Sequence, residues 1–146
     1  MKIEAFLAHI DDQRPLTTDE EISRFEKTRG FVFPSDYRLF LQRCNGGYIG
    51  GSVWDFEHDA GVHHIGGFRT EDHFSLPRHC ESIGRFLPAD IIPIADDPFG
   101  NAICIGIRGD AYGKIFFWDH ESAYDEPMRI ADSFTQFVEN LEVEEE

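Results

Sequence analysis

Apolar residues recur at helical spacing in three stretches of this chain and at strand spacing in several others, and the ends of each run carry their own punctuation. Thr18 followed three positions later by Glu21 makes a capping box, Ile22 and Phe25 give one apolar face, and Gly30 suits the left-handed position past a C-terminus. A first helix of about ten residues is predicted there. Pro34 fits a first helical turn, and Tyr37, Phe40, Leu41 and Cys44 fall at i, i+3, i+4 and i+7 before Asn45-Gly46 stops the run. Phe134, Phe137, Val138 and Leu141 repeat that stripe behind Asp132 or Ser133 as N-cap.

The alternating runs are of a different kind. Ile103, Ile105 and Ile107 alternate with Ala102, Cys104 and Gly106, and Ile115 and Phe117 alternate with Phe116 and Trp118, with Gly109 to Gly113 as the hairpin loop between them. Both runs are apolar on both faces, which predicts central strands covered by helices or closed on one side by an aromatic layer. Asp97-Pro98-Phe99-Gly100 reads as a type I turn joining a strand over Ile91 to Ala95 to the next. Tyr48 to Phe56 and Val62 to Phe68 are weaker strands, and Glu71 to Phe86 reads as an irregular helix interrupted at Pro77. The expectation is an α+β domain with a largely antiparallel sheet flanked by helices.

Three blocks stand in order along the chain. Phe33-Pro34-Ser35-Asp36-Tyr37-Arg38-Leu39-Phe40-Leu41 closes on Asn45-Gly46-Gly47; Ile94-Ala95-Asp96-Asp97-Pro98-Phe99-Gly100-Asn101-Ala102-Ile103-Cys104 follows; and Lys114 to Trp118 runs into Asp119-His120-Glu121 ahead of Ile130-Ala131-Asp132-Ser133-Phe134. That ordered set resembles the SUKH superfamily, the Smi/Knr type of domain, over residues 18 to 141. The resemblance implies one domain over 1–146 with an acidic tail at 142–146, and a binding fold rather than an enzyme. Bacterial members of that family look like immunity proteins that neutralise a cognate toxin, and fungal members act as regulatory scaffolds.

Composition is compatible with this. A chain of 146 residues with 41% hydrophobic residues and 14 Phe is far from the signature of disorder. At that size one domain can bury roughly 70% of the surface its unfolded chain exposes. No apolar run approaches the roughly 20 residues a membrane span needs, and Met1-Lys2-Ile3-Glu4 does not open a signal peptide, so a cytoplasmic location is expected. Cys44, Cys80 and Cys104 are odd in number, widely separated and without a CxxC pair, which predicts free buried thiols. The net charge is −15, and residues 110–146 hold eleven acids against Lys114 and Arg129. Such a field repels nucleic acid and anionic membranes and speeds encounter with a basic protein, although acidity also serves solubility alone.

Motifs for chemistry are missing or incomplete. Gly46 to Gly51 has the spacing of a phosphate loop, but Ser52 follows and the phosphate-binding Lys is lacking. Alternation sends His120 to one side and Asp119 and Glu121 to the other, so no catalytic triad is implied. His58, His63, His64, His73 and His79 lie within 22 positions. Yet His63 and His64, as strand neighbours, are expected on opposite faces, and no metal or other cofactor is expected. The candidate contact surface is instead the aromatic-acidic segment Val53 to Asp59, with Trp54, Asp55, Glu57 and Asp59, joined by Asp96, Asp97, Asp119 and Glu121 on adjacent sheet ends. Trp118 reads as a core residue; Trp54 is either core or an interface anchor ringed by carboxylates. With the resemblance, the expected function is stoichiometric binding of a basic toxin domain, a nuclease being one candidate. The alternative is a cytosolic regulator or scaffold with no toxin partner.

Overall fold

The computed structural model describes residues 1–11, 14–122 and 126–144; Asp125, Glu145 and Glu146 of the acidic run lie outside these. Six strands follow one another as an antiparallel meander: β1 (Gly47–Asp55), β2 (Ala60–Ile65), β3 (Ile91–Asp96), β4 (Ala102–Gly106), β5 (Ile115–Trp118) and β6 (Met128–Ala131). A two-residue strand, β7 (Glu142–Val143), returns to the free edge of β1, giving the order β6-β5-β4-β3-β2-β1-β7. The helices are α1 (Ile3–His9), α2 (Asp19–Arg29), α3 (Ser35–Arg43), α4 (Leu76–Ser82) between β2 and β3, and α5 (Phe134–Asn140) after the meander.

The helix ends follow their local chemistry. The Glu21 N–H donates to the Thr18 hydroxyl at 3.1 Å and Gly30 closes α2 at φ 76°, while Ser133 caps α5 by accepting from the Gln136 N–H at 3.0 Å. Two expectations are corrected and one element is added. Pro77 does not interrupt a helix but sits in the first turn of α4 behind the Ser75 cap, where its missing N–H is harmless. Cys44 lies beyond the end of α3 at φ −152°, yet stays buried. The short helix α1 was not predicted, because seven residues with a single fully buried side chain, Phe6, give too little periodicity to read.

The double apolarity of β4 and β5 is resolved as two clusters. Ile103, Ile105, Ile107 and Ile115 enter the main core with Phe6, Ile22, Tyr37, Phe40, Leu41, Phe134, Phe137 and Val138 from α1, α2, α3 and α5. On the other face Ala102, Cys104 and Trp118 form a smaller cluster with Leu87 and Ile91. Two buried polar groups tie the connecting segments in place. Glu26 of α2 accepts from the Phe33 N–H at 2.7 Å, and Asn45 accepts from the Phe68 N–H at 2.8 Å while its own amide donates to the Pro15 carbonyl at 3.1 Å. At this crossing Gly46 has φ 89°, and a Cβ on Gly67 would stand 2.3 Å from the Asn45 carbonyl carbon, so the backbones meet without side chains between them.

Cys44, Cys80 and Cys104 are free and buried. Burial pushes the Cys80 thiol up to about 11 and the Cys104 thiol higher still. The native protein should therefore react slowly with thiol reagents at pH 8, and all three should react fast in denaturant; quick labelling of Cys104 in the folded state would contradict the burial. Ile105 is fully buried in the main core. Ile105→Ala should cost about 2 to 5 kcal/mol in a single cooperative unfolding transition, measured by urea denaturation.

Candidate functional site

Residues directly opposed in an antiparallel ladder share a face. The register places Tyr48 opposite His64, His64 opposite Asp96, Asp96 opposite Ala102 and Ala102 opposite Trp118, one row running across five strands. Ala102 and Trp118 belong to the smaller cluster, so this row lies on the face turned away from the main core. At the Tyr48 end of the row that face is partly open: Tyr48 is exposed, and His64 and Asp96 are half-buried.

A break in strand alternation shapes the open face. Val62 and Ile65 are both buried in the main core although they stand three residues apart, an odd separation that regular pleating would split between faces. The pairing of β1 with β2 shifts in this stretch, between Tyr48 and Val53. The two residues in between, His63 and His64, are thus both turned away from the core, with ring centroids 4.2 Å apart. Their expected separation onto opposite faces is corrected.

More rings gather around this pair. His73, from the loop after β2, stacks on His64 at 4.3 Å, and Tyr48 lies 5.2 Å from His63 and 5.3 Å from His64. The His64 N–H donates to Asp96 at 2.8 Å, and His64 Nδ1 lies 3.1 and 3.2 Å from the two Asp96 oxygens. Burial holds the His64 pKa below its usual value, opposed by the Asp96 charge and reinforced by His63 and His73. His79, stacked on Phe74 at 3.8 Å, is also lowered, chiefly by burial. One donor atom each from His63, His64 and Asp96 can be chosen so that all three lie within 4.8 Å of one another.

Trp54 lies on the same open side, since its neighbour Val53 points into the main core. It is half-buried and lies across Gly61: a Cβ on Gly61 would stand 2.9 Å from the indole. Its ring is 6.2 Å from Phe99, which is 67% exposed at the tip of the turn between β3 and β4. Trp118 is buried as expected, beneath Phe86 at 6.5 Å.

The expected acidic rim divides into two groups. Asp55 is 1% exposed; it accepts from the N–H groups of Glu57 and His58 at 3.1 and 3.2 Å and lies 2.8 Å from His58 Nδ1. Asp97 is 3% exposed and accepts from the N–H groups of Phe99 and Asn101 and from the Asn101 amide, at 2.8 to 2.9 Å. Both carboxylates close turns, as Asp side chains do when they bond backbone N–H groups a few residues on, and neither is available to a partner. Glu57, Asp59 and Glu121 are exposed, Asp119 is half-buried and accepts from the Glu121 N–H at 2.9 Å, and Asp96 faces His64.

In a meander the turns β1–β2, β3–β4 and β5–β6 share one end of the sheet, so Glu57, Asp59, Phe99, Asp119 and Glu121 emerge from that end. His120 ties two of these turns, its Nε2 2.9 Å from the Phe99 carbonyl oxygen and its N–H donating to Asn101 at 3.1 Å. Phe99 and Tyr48 were not singled out in the sequence, and His73 was weighed there only as a metal ligand. A Phe at the tip of a Pro-Phe-Gly turn was a legible signal for the first; the other two depend on register and loop path.

Among the described residues no helix is long and apolar enough to cross a membrane. Residues 16–140 match the SMI1 / KNR4 family (SUKH-1). The chain is also 30% identical to the SPbeta prophage-derived uncharacterized protein YokK of Bacillus subtilis (strain 168) over 161 residues, an alignment that covers 96% of this chain and 82% of that protein.

The seat of Trp54 is testable. Gly61→Ala should force the indole off β2 into solvent, shifting tryptophan emission to the red while leaving the fold intact, because only the end of one side chain must move. An unchanged spectrum would place the indole elsewhere.

Proposed function

The chain belongs to the SMI1/KNR4 family (SUKH-1), and from that premise we propose that it is, over 1–146, one non-catalytic protein-binding domain, an immunity protein that neutralises a basic toxin domain in the cytoplasm. The observation that carries this reading is the Trp54–Phe99 pair on the open face, a large apolar anchor at a sheet end from which Glu57, Asp59 and Glu121 project exposed. Aromatic anchors ringed by polar groups are the usual centre of an interface, and a net charge of −15 favours a cationic partner. Inhibition then requires only that the anchor dock beside the toxin's working surface and cover it. A nuclease, whose substrate is polyanionic, fits this best among basic toxins.

In this reading Trp54 and Phe99 supply contact area, Glu57, Asp59, Asp119 and Glu121 supply the attractive field, and Asp96 contributes from the histidine cluster. Asp55 and Asp97 hold the turns that present the others.

The roles separate kinetically. Glu57→Gln with Asp59→Asn should lower the association rate and flatten its salt dependence, whereas Trp54→Ala should raise the dissociation rate about tenfold or more. Asp55→Ala or Asp97→Ala should instead cost about 1 to 3 kcal/mol of stability, since each leaves turn N–H groups unpaired. The partner is to be recovered by co-purification from the native host and matched to a toxin gene beside that of this chain. An acidic partner bound with no salt dependence would defeat the electrostatic account, and a partner without toxicity would favour a regulatory scaffold of the same family.

A further inference from the structure

The same side of the sheet carries a second constellation, which shares Asp96 with the contact surface just described but rests on its own geometry. We propose that His63, His64 and Asp96 form a binding site for one first-row transition-metal dication of the zinc class. The alternation break places both imidazoles on one face, and the pairing of β2 with β3 brings Asp96 opposite His64. One donor atom from each can lie within 4.8 Å of the other two. Zinc–nitrogen and zinc–oxygen bonds of about 2.0 to 2.2 Å require donors roughly 3.3 Å apart in a tetrahedral site.

The surroundings hold the donors for this. The His64 N–H fixes one oxygen of Asp96 at 2.8 Å, the other lies 3.2 Å from His64 Nδ1, close to the spacing two ligands of one ion need, and the His64 ring is kept in place by His73 on one contact and Tyr48 on another. Such supporting contacts orient ligands and sharpen metal affinity. Two imidazoles and one carboxylate select zinc, cobalt, nickel or copper over magnesium and calcium, which prefer all-oxygen shells. Three protein donors leave a fourth position open, and the protein's negative field favours cation entry.

The test uses the full chain, dialysed against chelator, and titrated with Co²⁺ by visible absorption and with Zn²⁺ by calorimetry. Saturation at one equivalent per chain is expected, with the intense visible bands of four-coordinate cobalt and a rise in the unfolding midpoint on adding Zn²⁺. His63→Ala and Asp96→Asn should each weaken binding at least about tenfold, while His58→Ala and His120→Ala leave it unchanged. Should His63→Ala fail to fold, His63→Gln, which keeps the bulk and lacks the imidazole donor, gives the same reading. Binding that never saturates at one equivalent, that survives His63→Gln, or that is lost in His58→Ala would overturn the assignment. Because the partner is absent from the assay, these outcomes are independent of whether the toxin reading holds.

Discussion

Two central strands that are apolar on both faces set the terms for the rest of this molecule. β4 and β5 put Ile103, Ile105 and Ile115 on one side and Cys104 and Trp118 on the other, and apolar area left in water on either side would be unfavourable. Helices α1, α2, α3 and α5 cover the first side. Among the described residues the second carries a smaller cluster built from Leu87, Ile91 and neighbouring residues, and toward β2 and β1 His63, His64 and Trp54 are only half-buried. What occupies the uncovered part is amphipathic: Tyr48, Trp54 and the paired imidazoles, groups that tolerate both water and contact.

This partition explains why the unusual chemistry is found on one side of the sheet. In a regular β2, His63 and His64 would be divided, and one imidazole would have to enter the main core. The odd spacing of Val62 and Ile65 relieves that conflict, keeping both aliphatic residues inside and both histidines out. The same break brings two nitrogen donors and the Asp96 carboxylate together, a grouping that strand periodicity alone forbids.

Carboxylates of one residue type meet two fates here, decided by turn geometry. Asp55 and Asp97 each stand at the start of a turn and are buried by the backbone N–H groups they accept. Glu57, Asp59 and Glu121 lie further along the turns at the same sheet end and are exposed. The turn-closing pair gives rigidity and the exposed set gives field, so the two kinds of substitution should be seen in different measurements.

The helices with caps, the doubly apolar hairpin, the turn at Asp97 to Gly100 and the fold class were legible in the chain, because each rests on contacts between residues close in sequence. Thr18 and Glu21 are three apart, and Ile103 to Ile107 announce their strand by alternation. The short helix α1 and the place of Pro77 were not, since seven residues carry little period and a proline marks a helix start as readily as a break. Trp54 was legible as a residue of interest, but whether it faced core or solvent depended on which side of β1 the helices cover. The histidines were in view as candidate ligands, but their meeting with Asp96 on one face was not legible. The members of this cluster come from two paired strands, and both histidines reach Asp96's face only because Val62 and Ile65 are buried together in the main core beside the irregular β1–β2 pairing. Local sequence determined which elements form; only tertiary packing decided which faces they expose, because burial is a property of the assembled layers.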